Sequence, residues 1–438
     1  MSGSLRQAAG SLLVVGLAGT ELADLERAWL KVVKPGGIIL FRRNIAEVEQ
    51  TRALLDEATA LGAPHGFRCV DLEGGTVDRL RDVLAPMPSA QAVAQAARGS
   101  LPRSPNARDL GHPVSSGSKV SSGSKLIHEH GELVARAAKA FGFNTTLAPV
   151  LDLALPASAG VLGTRAAAGT AAGVVTYARG FLAGLAAQGV VGCGKHFPGL
   201  GAGTLDSHVA TPSIGRSLHD LDQEDMVPYR ELRDELPMVM VSHAAYPGTP
   251  GKERPASVSP YWISTVLRKR IGYKGLVLSD DLEMGGILKF MPMEEAAVAA
   301  IKAGTDLLEI CHSPELILRA YEALVAEGER SAGFAELLVE RARQVARRRA
   351  RLFQGGVPAA LGAEKLGALR EKIAAFAEGI ASAQATVAEA EKARDAEKAA
   401  REELAKAAQA VPYHLRPEGQ KRAPGGSKAR KAAKAPKA

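Results

Sequence analysis

The chain has 438 residues, 46% hydrophobic and 4% aromatic, which is enough apolar material for a large core and excludes a disordered protein. Its three cysteines, Cys69, Cys193 and Cys311, are far apart and sit in apolar runs, which argues against a disulfide framework or a zinc site and for reduced core thiols. The net charge of +8 is concentrated in residues 411–438, which hold eight Lys/Arg and one Glu; the other 410 residues carry 47 basic against 46 acidic side chains.

No apolar run approaches the ~18 residues of a membrane span, and the N-terminal stretch lacks a convincing cleavage site, so a cytoplasmic protein is expected. Eight apolar, β-rich runs follow in order at 11–17, 37–41, 68–71, 144–149, 190–194, 238–242, 276–279 and 305–310. Segments with helical spacing lie between most of them, as at 46–61, 131–141, 172–188 and 293–303. Strand alternating with helix eight times predicts an α/β fold, a (β/α)8 TIM-type barrel over 1–354.

Two segments break the alternation. Residues 97–125 are polar and contain a tandem Val-Ser-Ser-Gly-Ser-Lys repeat at 114–125, which predicts a flexible insertion. Residues 360–410 are rich in Ala, Glu and Lys, with Glu/Lys pairs at helical spacing, and read as a long solvated helix or weak coiled coil. The basic stretch 411–438 reads as a disordered tail able to contact an anionic polymer.

The chemistry concentrates at strand ends. Asp71, His196, His243 and Asp280 each close a predicted strand; in a barrel the C-terminal strand ends form the catalytic face, so these residues would share one pocket. The richest stretch is Lys195-His196-Phe197-Pro198-Gly199, continuing to Asp206-Ser207-His208. A carboxylate two residues from an imidazole orients the ring and stabilises its protonated form, making His208 a workable acid that can later act as a base. At Ser279-Asp280-Asp281, the first aspartate would point into the barrel mouth as a nucleophile and the second would cap the next helix. At the third strand, Asp71 and Arg79 offer a carboxylate and a guanidinium fork for a hydroxyl-rich ligand, or a structural ion pair.

These motifs resemble those of family 3 glycoside hydrolases, and more narrowly the bacterial β-N-acetylglucosaminidases of peptidoglycan recycling. Gly36-Gly-Ile-Ile-Leu-Phe41, Asp71-Leu-Glu-Gly-Gly75, Pro86-Met-Pro-Ser89, Leu147-Ala-Pro-Val-Leu-Asp152 and Ala303-Gly-Thr-Asp306 agree with the family in order and spacing, over roughly residues 10–353. The resemblance implies a retaining exo-enzyme that removes N-acetylglucosamine from 1,6-anhydro-muropeptides without a metal or other cofactor. It implies Asp280 as the nucleophile forming a covalent glycosyl-enzyme, and His208, paired with Asp206, as acid/base. Asp71, Arg79, Arg165, Lys195 and His196 would bind the sugar. Leu72, Thr76 and Leu200 depart from residues common at their places in the family, so the resemblance does not extend to the aglycone and peptide preference.

Three alternatives stay open at this level. A neutral imidazole repels phosphate less than a carboxylate does, which would allow phosphorolysis. His196, His208, His243 and Asp280 could instead serve a metal-dependent barrel hydrolase. A non-enzymatic module acting through its basic tail is the third.

Overall fold

A computed structural model describes residues 2–63, 65–99, 122–203, 211–252, 254–354 and 362–410. Eight strands close into a parallel barrel: β1 (Leu13–Gly16), β2 (Gly37–Leu40), β3 (Phe67–Val70), β4 (Thr145–Thr146), β5 (Val191–Phe197), β6 (Met238–Val241), β7 (Leu276–Asp281) and β8 (Leu307–Ile310). Each pairs with the next in sequence, and β8 returns to β1 with Leu308 opposite Leu13. The predicted (β/α)8 architecture is therefore the observed one. Most strand residues are buried, as expected where helices cover the outside of a parallel sheet and side chains fill the inside.

The helices form for local reasons. The helix Asp24–Val33 carries Glu26 in its first turn, where its carboxylate accepts from the N–H groups of Ala18 (2.9 Å) and Ala23 (3.0 Å). That places an acid at the positive end of the helix dipole, and Trp29, Leu30 and Val33 then face the core. Helices Ser122–Ala140 and Ala171–Ala187 pack closely because two glycines lie at the contact. A Cβ on Gly131 would come within 2.2 Å of the Phe181 carbonyl, and one on Gly184 within 2.2 Å of the His128 carbonyl.

Two features were absent from the sequence reading. A helix, Ser2–Ser11, precedes β1, and Leu5, Ala8 and Ala9 bury against the core. The segment expected to be a flexible insertion is helical at both ends, since Ala90–Gly99 runs to its start and Ser122–Ala140 begins before its finish; residues 100–121 lie outside the described residues.

The first compact unit comprises residues 1–384. It therefore includes the beginning of the long helix Ala363–Ala410. Leu369, Ile373, Phe376 and Ile380 recur at helical spacing and are buried; Phe376 stacks on His130 at 6.0 Å, and Arg370 Nε donates to the Leu84 carbonyl at 2.9 Å. These side chains, in the stretch expected to be a solvated helix or weak coiled coil, pack within their own unit. The second unit, 385–438, is helical to Ala410 and mostly exposed where described. The basic tail, 411–438, lies outside the described residues.

Candidate active site

The C-terminal ends of the strands open onto a cavity of about 190 Å³, smaller than the roughly 300–1,000 Å³ of drug-sized ligand pockets. Phe41, Asp71, Lys195, Met240, Asp280 and Glu309 reach its wall from the ends of β2, β3, β5, β6, β7 and β8. Asp71, Arg79, Arg165, Lys195, His196 and Asp280, far apart in the chain, all line this one cavity.

The β3 side is built on ion pairs. After β3 the chain makes a short hairpin, Leu72–Gly74 with Val77–Asp78. Its turn needs positive φ at Gly74 (+89°) and Gly75 (+64°), which glycine adopts without a Cβ penalty. Asp71 and Glu73, two residues apart along an extended backbone, lie on the same side. Lys195 Nζ sits between them, 2.8 Å from Asp71 Oδ1 and 2.7 Å from Glu73 Oε1. Arg165 clamps Glu73 with two bonds of 2.9 Å, the fork geometry that suits guanidinium and carboxylate. Arg79 is a looser partner of Asp71 at 3.4 Å, so Lys195 rather than Arg79 is the nearer cation.

Burial acts to raise both acids, but the cations outweigh it. Lys195 and Arg79 hold Asp71 well below the usual carboxylate range, and Arg165 and Lys195 bring Glu73 down to about 2. Burial acts to lower Lys195 and Arg165, and the carboxylates more than offset it, holding both pKa values up. All four groups are charged at neutral pH.

His196 is oriented by Asp152, the last residue of the Leu147–Asp152 motif. Asp152 Oδ2 lies 2.6 Å from His196 Nδ1, while Asp152 Oδ1 accepts from the Leu200 N–H at 2.7 Å. A carboxylate on one ring nitrogen fixes the tautomer and turns the other edge of the imidazole outward.

Among the described residues the acids of the opposite wall have no Lys or Arg partner; His312 Nε2 lies 3.8 Å from Asp281 Oδ2. Asp280 Oδ1 accepts from the Asp281 N–H at 3.0 Å, and among the described residues no Lys or Arg forms an ion pair with Asp280. Asp281 was expected to cap the following helix; that expectation is corrected. β7 continues through Asp281, and the next helix, Gly285–Leu288, starts after Met284. Asp281 Oδ1 accepts from the N–H groups of Glu283 (3.0 Å) and Cys311 (3.2 Å), tying β7 to the loop after β8. Burial pushes its pKa up to about 7, and Glu283 and Asp280 add to the rise. Glu309 is buried among acids, with its pKa raised well above the usual value, chiefly by burial and then by Asp71, Asp281 and Asp280.

His243 does not line this cavity. It is fully buried, with Nδ1 2.7 Å from Ser257 Oγ and Nε2 2.9 Å from the Asp281 carbonyl, so the metal-hydrolase alternative lacks that member. Among the described residues, Asp281, Glu283 and His312 form a different His/carboxylate group with donor atoms within 4.8 Å of one another. Asp206 and His208 lie outside the described residues.

Acids and cations thus converge at the C-terminal strand ends of a closed parallel barrel, the face on which barrel enzymes carry their active sites. Residues 4–347 match the model of the glycosyl hydrolase family 3 N terminal domain. The chain belongs to glycosyl hydrolase family 3, and it is a glycoside hydrolase. A β-hexosaminidase of Alkalilimnicola ehrlichii is 38% identical over 306 residues, which cover 70% of this chain and 82% of that protein. The family 3 β-N-acetylglucosaminidase from Paenibacillus sp. superposes with a TM-score of 0.71 at 30% identity, over 85% of this chain and 68% of that one. NagZ from Neisseria gonorrhoeae, in complex with N-trifluoroacetyl-D-glucosamine, gives a TM-score of 0.63 at 28% identity, covering 85% and 98%.

Proposed function

We propose that this enzyme, a β-N-acetylhexosaminidase, removes N-acetylglucosamine from 1,6-anhydro-muropeptides by double displacement with retention. Asp280 attacks the anomeric carbon and forms a glycosyl-enzyme. His208, held by Asp206, protonates the departing oxygen and then takes a proton from the water that releases the sugar. Asp71, Lys195, Arg79, Arg165 and His196 hold the sugar's hydroxyls, the ammonium and guanidinium groups donating and the carboxylates accepting. The observation that carries this reading is that Asp280 opens into the same small cavity as the Asp71–Lys195–Glu73–Arg165 set. The activity in the names of the relatives supports it. Family 3 membership supports the carboxylate nucleophile.

Three free, buried cysteines suit a reducing compartment, and we place the reaction in the cytoplasm. Among the described residues no helix is long and apolar enough to cross a membrane. The tail, 411–438, is assigned to contact with an anionic polymer and not to turnover, so a chain truncated at 410 should hydrolyse at the full rate.

Incubation with an anhydro-muropeptide, with and without inorganic phosphate, tests the reading. Free N-acetylglucosamine in the β-configuration as first product, at a rate indifferent to phosphate, is expected. A glycosyl phosphate formed only with phosphate would replace hydrolysis by phosphorolysis, and an intact muropeptide would overturn the substrate.

A further inference from the structure

Glu309 interrupts an otherwise apolar strand, Leu307-Leu308-Glu309-Ile310, and is 4% exposed. Its backbone is fully used: the N–H donates to Ser279 Oγ at 3.0 Å, and the carbonyl accepts from the Leu282 N–H at 2.9 Å. Its side chain is half used. Cys311 Sγ donates to Oε1 at 3.2 Å, while Oε2 is buried with no hydrogen-bond partner. A buried polar atom left unsatisfied costs about 1–3 kcal/mol, and leucine at this position would avoid that cost. The same side chain lines the cavity that holds Asp280 and Asp71.

We propose that Glu309 is a sugar-recognising residue, its uncommitted Oε2 hydrogen-bonding a hydroxyl or the acetamido group of the monosaccharide bound beside Asp280. The inference rests on the glycosidase reading and adds a contact that neither the resemblance nor the strand-end pattern assigned.

The chemistry gives the bond a direction. The titratable groups facing Glu309 are Asp71 and Cys69 from β3, Cys193 from β5, Asp280 and Asp281 from β7, and Cys311 beyond β8. They are acids and thiols, and the nearby ammonium of Lys195 is held by Asp71 and Glu73. Burial and these neighbours favour the neutral form of Glu309, the form whose O–H donates to an oxygen of the sugar. A donor in this wall reads hydroxyl or carbonyl oxygens without placing another negative charge against the nucleophile.

The full-length enzyme and its Glu309→Gln and Glu309→Leu variants test this on an aryl β-N-acetylglucosaminide, with N-acetylglucosamine as a competitive inhibitor, from pH 5 to 9. Glu309→Leu should raise KM and the inhibition constant roughly tenfold or more with kcat changed less, while its Tm stays at or above that of the wild type. Glu309→Gln, which keeps a donor at the same place, should stay within about threefold of the wild type in both constants. Unchanged KM and inhibition constant in Glu309→Leu would overturn the contact. Equal loss in both variants would overturn the donor role by showing that an ionised carboxylate is needed. Should Glu309→Leu fail to fold, Glu309→Met decides on the same two constants: unchanged values overturn the proposal. A wild-type enzyme that binds N-acetylglucosamine, with affinity dependent on Glu309, but leaves the aryl substrate intact would sink the glycosidase reading and leave the contact standing.

Discussion

The two walls of the cavity hold similar numbers of carboxylates in opposite electrostatic states. On the β3–β5 side, Asp71 and Glu73 share three cations and are held ionised. On the β7–β8 side, burial and then neighbouring acids push Asp281 and Glu309 toward the neutral form. Fold and depth do not separate them, since both walls sit at strand ends of one barrel. What differs is whether a cation lies within about 3 Å, because burial alone disfavours charge and a close opposite charge restores it. The first wall is a charged framework that can hold hydroxyls. The second surrounds Asp280 with Asp281 and Glu309, which burial and nearby acids push toward their neutral forms.

Breaking that asymmetry at Asp280 should have the largest effect. Asp280→Asn is expected to lower kcat on an aryl β-N-acetylglucosaminide by about six orders of magnitude, the scale of removing a covalent nucleophile, with the thermal midpoint nearly unchanged. His208→Ala should cost roughly 10²–10⁴-fold on the natural substrate but far less on a nitrophenyl glycoside, whose leaving group needs no proton. Equal losses on the two substrates would remove His208 from the acid role.

The charged wall is tested by Lys195→Met, which strands Asp71 and Glu73 without their shared ammonium. Removing one partner of a buried pair costs about 3–5 kcal/mol, so urea unfolding should show a loss of that order and affinity for N-acetylglucosamine should fall with it. A double-mutant cycle with Asp71→Asn should give a coupling of about 0.5–3 kcal/mol; strict additivity would mean that the pair is not formed. The pH dependence follows from depressed folded-state pKa values. The stabilisation from Asp71 and Glu73 is present above their unfolded values near 4 and is lost as pH falls toward 2 and below.

Asp281 works in the opposite sense and gives the smallest effect. Its folded pKa of about 7 exceeds the unfolded value of ~3.9, so its contribution is fully present below pH ~4 and is lost as pH rises to 7. Asp281→Asn keeps an acceptor for the Glu283 and Cys311 N–H groups and removes the titration. Its Tm should gain on the wild type between pH 4 and pH 8, at about 2–4 °C per kcal/mol, and a gap that stays constant over that range would contradict the raised pKa.

Much of this arrangement is written locally in the chain. All eight strand runs were visible because buried parallel strands are short, continuous apolar stretches, and their polar ends marked the cavity. Glu73 was open to inference, since two acids at i and i+2 on an extended segment face one way. Glu309 carried a signal too, as a lone carboxylate within Leu307–Ile310. Asp152, Asp281 and His243 were harder because their partners are distant in sequence: the backbone of Leu200 and the ring of His196, the backbone of Cys311, and the hydroxyl of Ser257. A strand-end position alone does not say which way a side chain turns: His243, just past β6, meets Ser257 and the Asp281 carbonyl and does not line the cavity.

The most direct test of Asp280 as nucleophile is to trap the enzyme with a 5-fluoro-N-acetylglucosaminyl fluoride and locate the adduct by peptide mass spectrometry. One sugar per chain on Asp280, in the peptide spanning 275–284, with the label slowly released as activity returns, is the expected result. Label on Asp281, on Glu309 or on a different strand, or turnover of the reagent with no adduct at all, would contradict it.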